Sequence, residues 1–115
     1  LKGAKVPDVM YIQQERLDKY YETQVDYKQK PLILVPDMVV EIVSPTDLYT
    51  DVNRKVREYL SDGVKIIWVI DPKLKTVAEY TQAKPDAITK RKGDVLSGGD
   101  VAKGFELVVS EIFEN

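Results

Sequence analysis

The sequence predicts an α/β domain built on a mixed β-sheet, and three stretches carry that expectation. Residues 36–45, Pro-Asp-Met-Val-Val-Glu-Ile-Val-Ser-Pro, hold β-branched and large apolar side chains in an unbroken run between two prolines. Such a run, lacking the alternation of a half-buried strand, reads as a strand covered on both faces, as central strands of mixed sheets are. Residues 64–71, Val-Lys-Ile-Ile-Trp-Val-Ile-Asp, form a second buried strand. Between them Tyr49, Val52, Val56, Tyr59 and Leu60 recur at helical spacing, which predicts an amphipathic helix packed on the sheet.

The 115 residues suffice for one domain, residues 1–115, with one modest core. A formal net charge of -2 argues against an obligate electrostatic DNA binder, although local patches can still be basic. The chain has neither cysteine nor histidine, which excludes disulfides, zinc sites of the Cys/His kind and the usual nucleophile-base pairs. Any chemistry falls to carboxylates, lysines or hydroxyls. No apolar stretch approaches the ~20 residues of a membrane span and no signal-peptide pattern opens the chain, so the expectation is a soluble cytoplasmic protein without a membrane partner.

In chain order, the opening at Leu1 reads as a fragment lacking an upstream part. Pro7-Asp8-Val9-Met10-Tyr11-Ile12 alternates as a strand, with Asp8, Met10 and Ile12 on one face. Residues 13–30 are polar and rich in tyrosine, with weak helical periodicity at 15–22, and read as a short helix or turn followed by a surface loop. After Pro45, Ser44 or Thr46 is expected to cap the helix, with Asp47 in its first turn and Gly63 stopping it. Residues 71–75 form a tight turn, and residues 76–80 alternate and should return antiparallel to the preceding strand. Residues 87–91 read as an edge strand whose basic end could touch a phosphate but is more simply edge protection. Ser97-Gly98-Gly99-Asp100 is a loop without the lysine and spacing of a phosphate-binding loop. Residues 105–109 give a last strand and residues 110–113 a terminal helical turn.

Three side chains stand out against this background. Glu41 sits inside an apolar run, where an ionised carboxylate costs several kcal/mol, as an order of magnitude, unless a cation, a metal or several donors face it. It is either one half of a structural ion pair, a side chain facing a cleft, or a ligand. Asp8 is a turn or strand-edge aspartate on the bland reading, since Pro-Asp pairs commonly occupy turns. Lys55 is either an exposed lysine paired with Asp51 one turn earlier or, because it neighbours Val52, Val56 and Tyr59 on the helical wheel, an ammonium aimed inward.

The order Pro-Asp-Val, then Asp-Met-Val-Val-Glu-Ile-Val-Ser-Pro, then a helix with Asp51, Lys55 and Tyr59, then Gly-Val-Lys-Ile-Ile-Trp-Val-Ile-Asp-Pro, resembles a large bacterial family of restriction-endonuclease-like proteins expanded in cyanobacteria, within the PD-(D/E)XK nuclease superfamily. The resemblance runs from about Pro7 to the C-terminus, and residues 39–72 are its specific part. It implies an α/β restriction-endonuclease-like fold with the Asp8 and Glu41 strands adjacent, the Lys55 helix packed on the sheet and a hairpin on the far side. It also implies a Mg²⁺-dependent endonuclease, with Mn²⁺ an alternative metal. Asp8 and Glu41 would be the catalytic acids and metal ligands, Lys55 the catalytic lysine and DNA the substrate. The lysine expected two residues after Glu41 is Val43 in this chain; the family pattern in which it moves to the following helix places it at Lys55. Restriction-type enzymes that cut both strands are commonly dimeric, so a homodimer is expected. The alternative is a degenerate member that keeps the fold as a binding or assembly module without cleaving.

Overall fold

The computed structural model describes residues 7–23 and 34–113. Ten elements lie along them: β1 (Val9–Tyr11), α1 (Gln14–Thr23), β2 (Met38–Ile42), α2 (Tyr49–Asp62), β3 (Ile66–Asp71), β4 (Thr76–Thr81), β5 (Ile88–Lys90), β6 (Val95–Ser97), β7 (Glu106–Val108) and α3 (Val109–Ile112). The first five strands form one mixed sheet in the order β1-β2-β3-β4-β5. β2 and β3 are parallel, joined through α2, and every other neighbouring pair is antiparallel. The two unbroken apolar runs thus become the parallel interior strands, covered on both faces as their composition requires.

Each face of the sheet has its own core. On one side Val39, Ile67 and Val69 pack with Val56, Tyr59 and Val64 from α2 and the turn that ends it. On the other, Met38, Ile66, Trp68 and Val77 pack against Leu96, Val101 and Val109 from the β6–β7 ribbon and its surroundings. Alternate residues of β2 and β3 therefore serve opposite layers, as the two-residue strand period dictates. Trp68 adds a ring stacked on Phe105, with centroids 6.1 Å apart, and donates its indole N–H to Oε2 of Glu79, its cross-strand partner.

Several boundaries differ from the sequence expectation. α2 ends as expected, with Gly63 in the left-handed region at φ 103° and its N–H directed at the carbonyls of Leu60 and Tyr59. Its start does not follow the expected cap. Leu48 occupies the N-cap position without a side-chain hydrogen bond. The Ser44 and Thr46 hydroxyls bond to each other at 3.0 Å, and Asp47 Oδ2 accepts from the Ser44 amide, so the capping groups are used in the turn preceding the helix. Tyr49 opens α2 at 81% exposure and lies outside the packed stripe. β6, not expected from the sequence, which reads as loop from Ser97 onward, is a strand that pairs with β7 in a separate two-stranded ribbon.

The end of the sheet where β2 begins is tied down by Asp37, 1% exposed. Its Oδ2 accepts from the Gln13 amide at 2.8 Å, and its Oδ1 accepts from the Arg16 guanidinium at 2.8 Å, with Lys65 Nζ at 3.7 Å. The Asp37 amide donates to the Tyr11 carbonyl, and its own carbonyl accepts from Lys65 and Ile66. One buried carboxylate thereby connects β1, α1, β2 and β3, and its cationic partners meet the desolvation requirement for a buried acid.

Candidate active site

The opposite end of β2 carries Glu41. The β1–β2 register pairs Val9 with Val40, which sets Asp8 across from Glu41 one step beyond the last paired residues. Both side chains then fall on the face covered by α2. Asp8 is fixed there because its Oδ2 accepts from the Ile42 amide at 2.7 Å, which prolongs the β1–β2 connection with a side chain in place of a carbonyl.

Glu41 is 7% exposed and has two partners on α2. The hydroxyl of Tyr59, a side chain with no exposed surface, donates to Glu41 Oε1 at 2.8 Å. Lys55 Nζ stands 3.9 Å from the same oxygen, at the long limit of an ion pair and with its side chain 44% exposed. The separation Lys55 to Tyr59 is one helical turn, so α2 presents both groups to the carboxylate from one stripe. Asp51, the surface partner considered for Lys55, instead lies 3.9 Å from Arg54.

Burial raises the pKa of Glu41 above the ordinary carboxyl range. The Tyr59 hydrogen bond and the Lys55 charge oppose that rise, while the Asp8 carboxyl adds to it by hydrogen bonding and repulsion. Tyr59 is itself pushed far upward, first by burial and then by its bond to the Glu41 carboxylate, so its hydroxyl keeps its proton and acts as a donor. The cleft has a volume of about 310 Å³; beyond Asp8, Glu41 and Lys55, its walls include Asp47, Asp51 and Val52. The structure thus brings the three sequence-derived candidates to one place. Sequence reasoning placed Tyr59 in the packed stripe and in the family pattern but gave its hydroxyl no role; the signal available was its position one turn after Lys55.

The donor chemistry fits a hard divalent cation. Asp8 and Glu41 offer carboxylate oxygens only, each with one oxygen held in a fixed hydrogen bond. Among the described residues no group of three or more His, Cys, Asp and Glu is arranged to hold a metal. Two carboxylates with water completing the shell is a common arrangement for Mg²⁺.

A five-stranded mixed sheet in this order, with a helix joining its parallel strands, is a restriction-endonuclease-like fold. The chain belongs to the Uma2 family, whose sequence model, described as "Putative restriction endonuclease", matches residues 1–110. Its fold is similar to the crystal structure of a putative nuclease belonging to DUF820 from Anabaena variabilis ATCC 29413, at 24% identity and a TM-score of 0.64. The alignment covers 71% of this chain and 46% of that one, so the shared fold spans less than half the length of the solved relative. No curated protein matches the chain. No helix among the described residues is long and apolar enough to cross a membrane.

Proposed function

We propose that the cleft hydrolyses DNA phosphodiester bonds with a divalent cation, Mg²⁺ or Mn²⁺, held by Asp8 and Glu41, using the two-acid and lysine set of the PD-(D/E)XK nucleases. The observation that carries this reading is the incomplete compensation of Glu41. A buried carboxylate faces a second carboxylate in an open cleft, while its nearest cation stands off at 3.9 Å. A purely structural acid would have a closed ion pair, as Asp37 has with Arg16 at 2.8 Å.

Each residue then has a definite task. The Ile42 amide and the Tyr59 hydroxyl hold the two carboxylates in place, so little reorganisation is needed when a charged ligand arrives. The bound cation would polarise the scissile phosphate and lower the pKa of the attacking water. The Lys55 ammonium, on a long stem that reaches the cleft from α2, stabilises the charge that builds on the phosphoryl oxygens or positions the water. Cutting both strands of a duplex calls for two such sites, which makes a homodimer the expected active form.

The test is nicking and linearisation of supercoiled plasmid with Mg²⁺ or Mn²⁺, alongside Glu41→Gln. Cleavage by the wild type and its loss in the variant supports the reading; equal residual cleavage by both removes Glu41 from the chemistry. One observation favours a second reading. Val43, standing where the superfamily lysine is expected, is packed against the apolar layer under α2. Metal binding without cleavage would select a nuclease-fold binding module.

A further inference from the structure

The same end of the sheet carries a second feature, outside the carboxylate cleft. The β3–β4 turn and the end of β5 place Lys75, Thr76, Arg91 and Lys92 around a groove of about 620 Å³, whose remaining walls include Ser110 and Phe113 at the C-terminal helical turn. The register explains the clustering. Val77 pairs with Lys90, so Thr76 and Lys75 continue opposite Arg91 and Lys92.

The nearby carboxylates do not neutralise these cations. Asp71 Oδ1 accepts from the amides of Lys73 and Leu74, and Asp94 Oδ2 accepts from the amide of Arg91. Among the described residues, ion pairs such as those of Arg16, Arg54, Lys55 and Lys65 do not include Lys75, Arg91 or Lys92. Three cations thus converge without counter-ions on a chain whose net charge is -2.

We propose that this groove binds the phosphodiester backbone of nucleic acid and seats it beside the Asp8–Glu41 cleft. Lysine, arginine and hydroxyl side chains are the usual donors to phosphate oxygens. The choice of nucleic acid over another polyanion rests on the nuclease reading and on placement. The ends of β2 and β3 and the start of β4 lie together, because Ile42 pairs with Ile70 and Asp71 with Thr76. From β2 to β4 and β5 is two to three strand spacings, roughly 10–14 Å. That corresponds to about three or four base-pair steps of duplex rise. Phe113 in the groove wall packs with the core opposite α2, so a duplex that meets both features runs across the strand ends from one face to the other.

The test is fluorescence anisotropy of a short labelled duplex, as DNA and as RNA of the same sequence, titrated over a range of salt without divalent metal so that no cleavage occurs. Lys75→Gln/Arg91→Gln/Lys92→Gln, checked for an unchanged melting temperature, is compared with wild type. The triple variant should bind at least about tenfold more weakly, and its slope of log affinity against log salt should flatten by about 2 to 3. Each single variant should flatten it by about 1, which keeps the outcome readable if the triple variant fails to fold. Equal affinity and slope in wild type and variants, or no salt-dependent binding of either duplex by the wild type, overturns the proposal. Loss of binding in the variants of a protein that cleaves nothing with metal would uphold the groove and remove the nuclease reading; cleavage that persists with unaltered binding would do the reverse.

Discussion

At the residue scale, Glu41 links stability to pH with a definite sign. Its carboxyl titrates above the ordinary range because of burial, against the pull of Tyr59 and Lys55, with the Asp8 carboxyl adding to the rise. The folded protein therefore holds this proton more tightly than the unfolded chain. The stabilisation is complete below the unfolded carboxyl pKa and is lost as pH rises through the higher folded value. In metal-free buffer, Glu41→Gln should lack this decline, so its melting temperature relative to wild type should improve as pH rises above the ordinary carboxyl range. An advantage that shrinks over that rise would show a fully compensated carboxylate instead. Lys55 has the complementary expectation. Its side chain is 44% exposed, so Lys55→Ala should change stability little, abolish plasmid cleavage and leave metal binding, followed by calorimetry, largely intact. The predicament of Glu41 could be read from sequence, since one carboxylate in an apolar run requires compensation. The spacing of Tyr59 from Lys55 was visible but did not reveal its role, because a tyrosine on an apolar helical stripe looks the same whether or not its hydroxyl meets an acid.

At the element scale, the two interior strands and α2 were readable because long runs of one periodicity leave little choice. The shorter pieces were not. β6 is three residues between Asp94 and Gly98, too few for alternation to register, and its strand identity comes from pairing with β7. The start of α2 went astray for a different reason: Ser44, Thr46 and Asp47 are all competent caps, and local turn bonds took them before the helix began. Asp37 was passed over within the apolar run, although it connects more elements than any site residue. Its partners come from 24 and 21 residues upstream in Gln13 and Arg16, a pairing that no local pattern reveals. Asp37→Ala should destabilise the protein by about 3 kcal/mol in chemical denaturation, through the loss of a charged acceptor from a buried network. Arg16→Ala should cost less, because Lys65 remains near the carboxylate. Equal stability of Asp37→Ala and wild type would show that packing alone docks α1 on the sheet.

At the scale of the whole molecule, the candidate site combines parts of unequal origin. Glu41, Lys55 and Tyr59 belong to a single β2–α2–β3 unit, whereas Asp8 arrives from an edge strand three residues long, with Val9, Met10 and Tyr11 all exposed. A cation held by both carboxylates would bind the assembled fold better than the unfolded chain, so Mg²⁺ or Mn²⁺ should raise the melting temperature by mass action in wild type and not in Glu41→Gln. A melting temperature indifferent to metal would remove the ion from the site. The bond from the Ile42 amide to Asp8 carries a further consequence, for time. That amide lies at the exposed end of β2, and its proton is shielded by a carboxylate 34 residues away. When β1 lifts from the sheet, the shield and one candidate ligand leave together. Deuterium uptake at Ile42 is accordingly a clock for the opening of the cleft, running at the rate of edge-strand fraying and slowing when an ion ties Asp8 down.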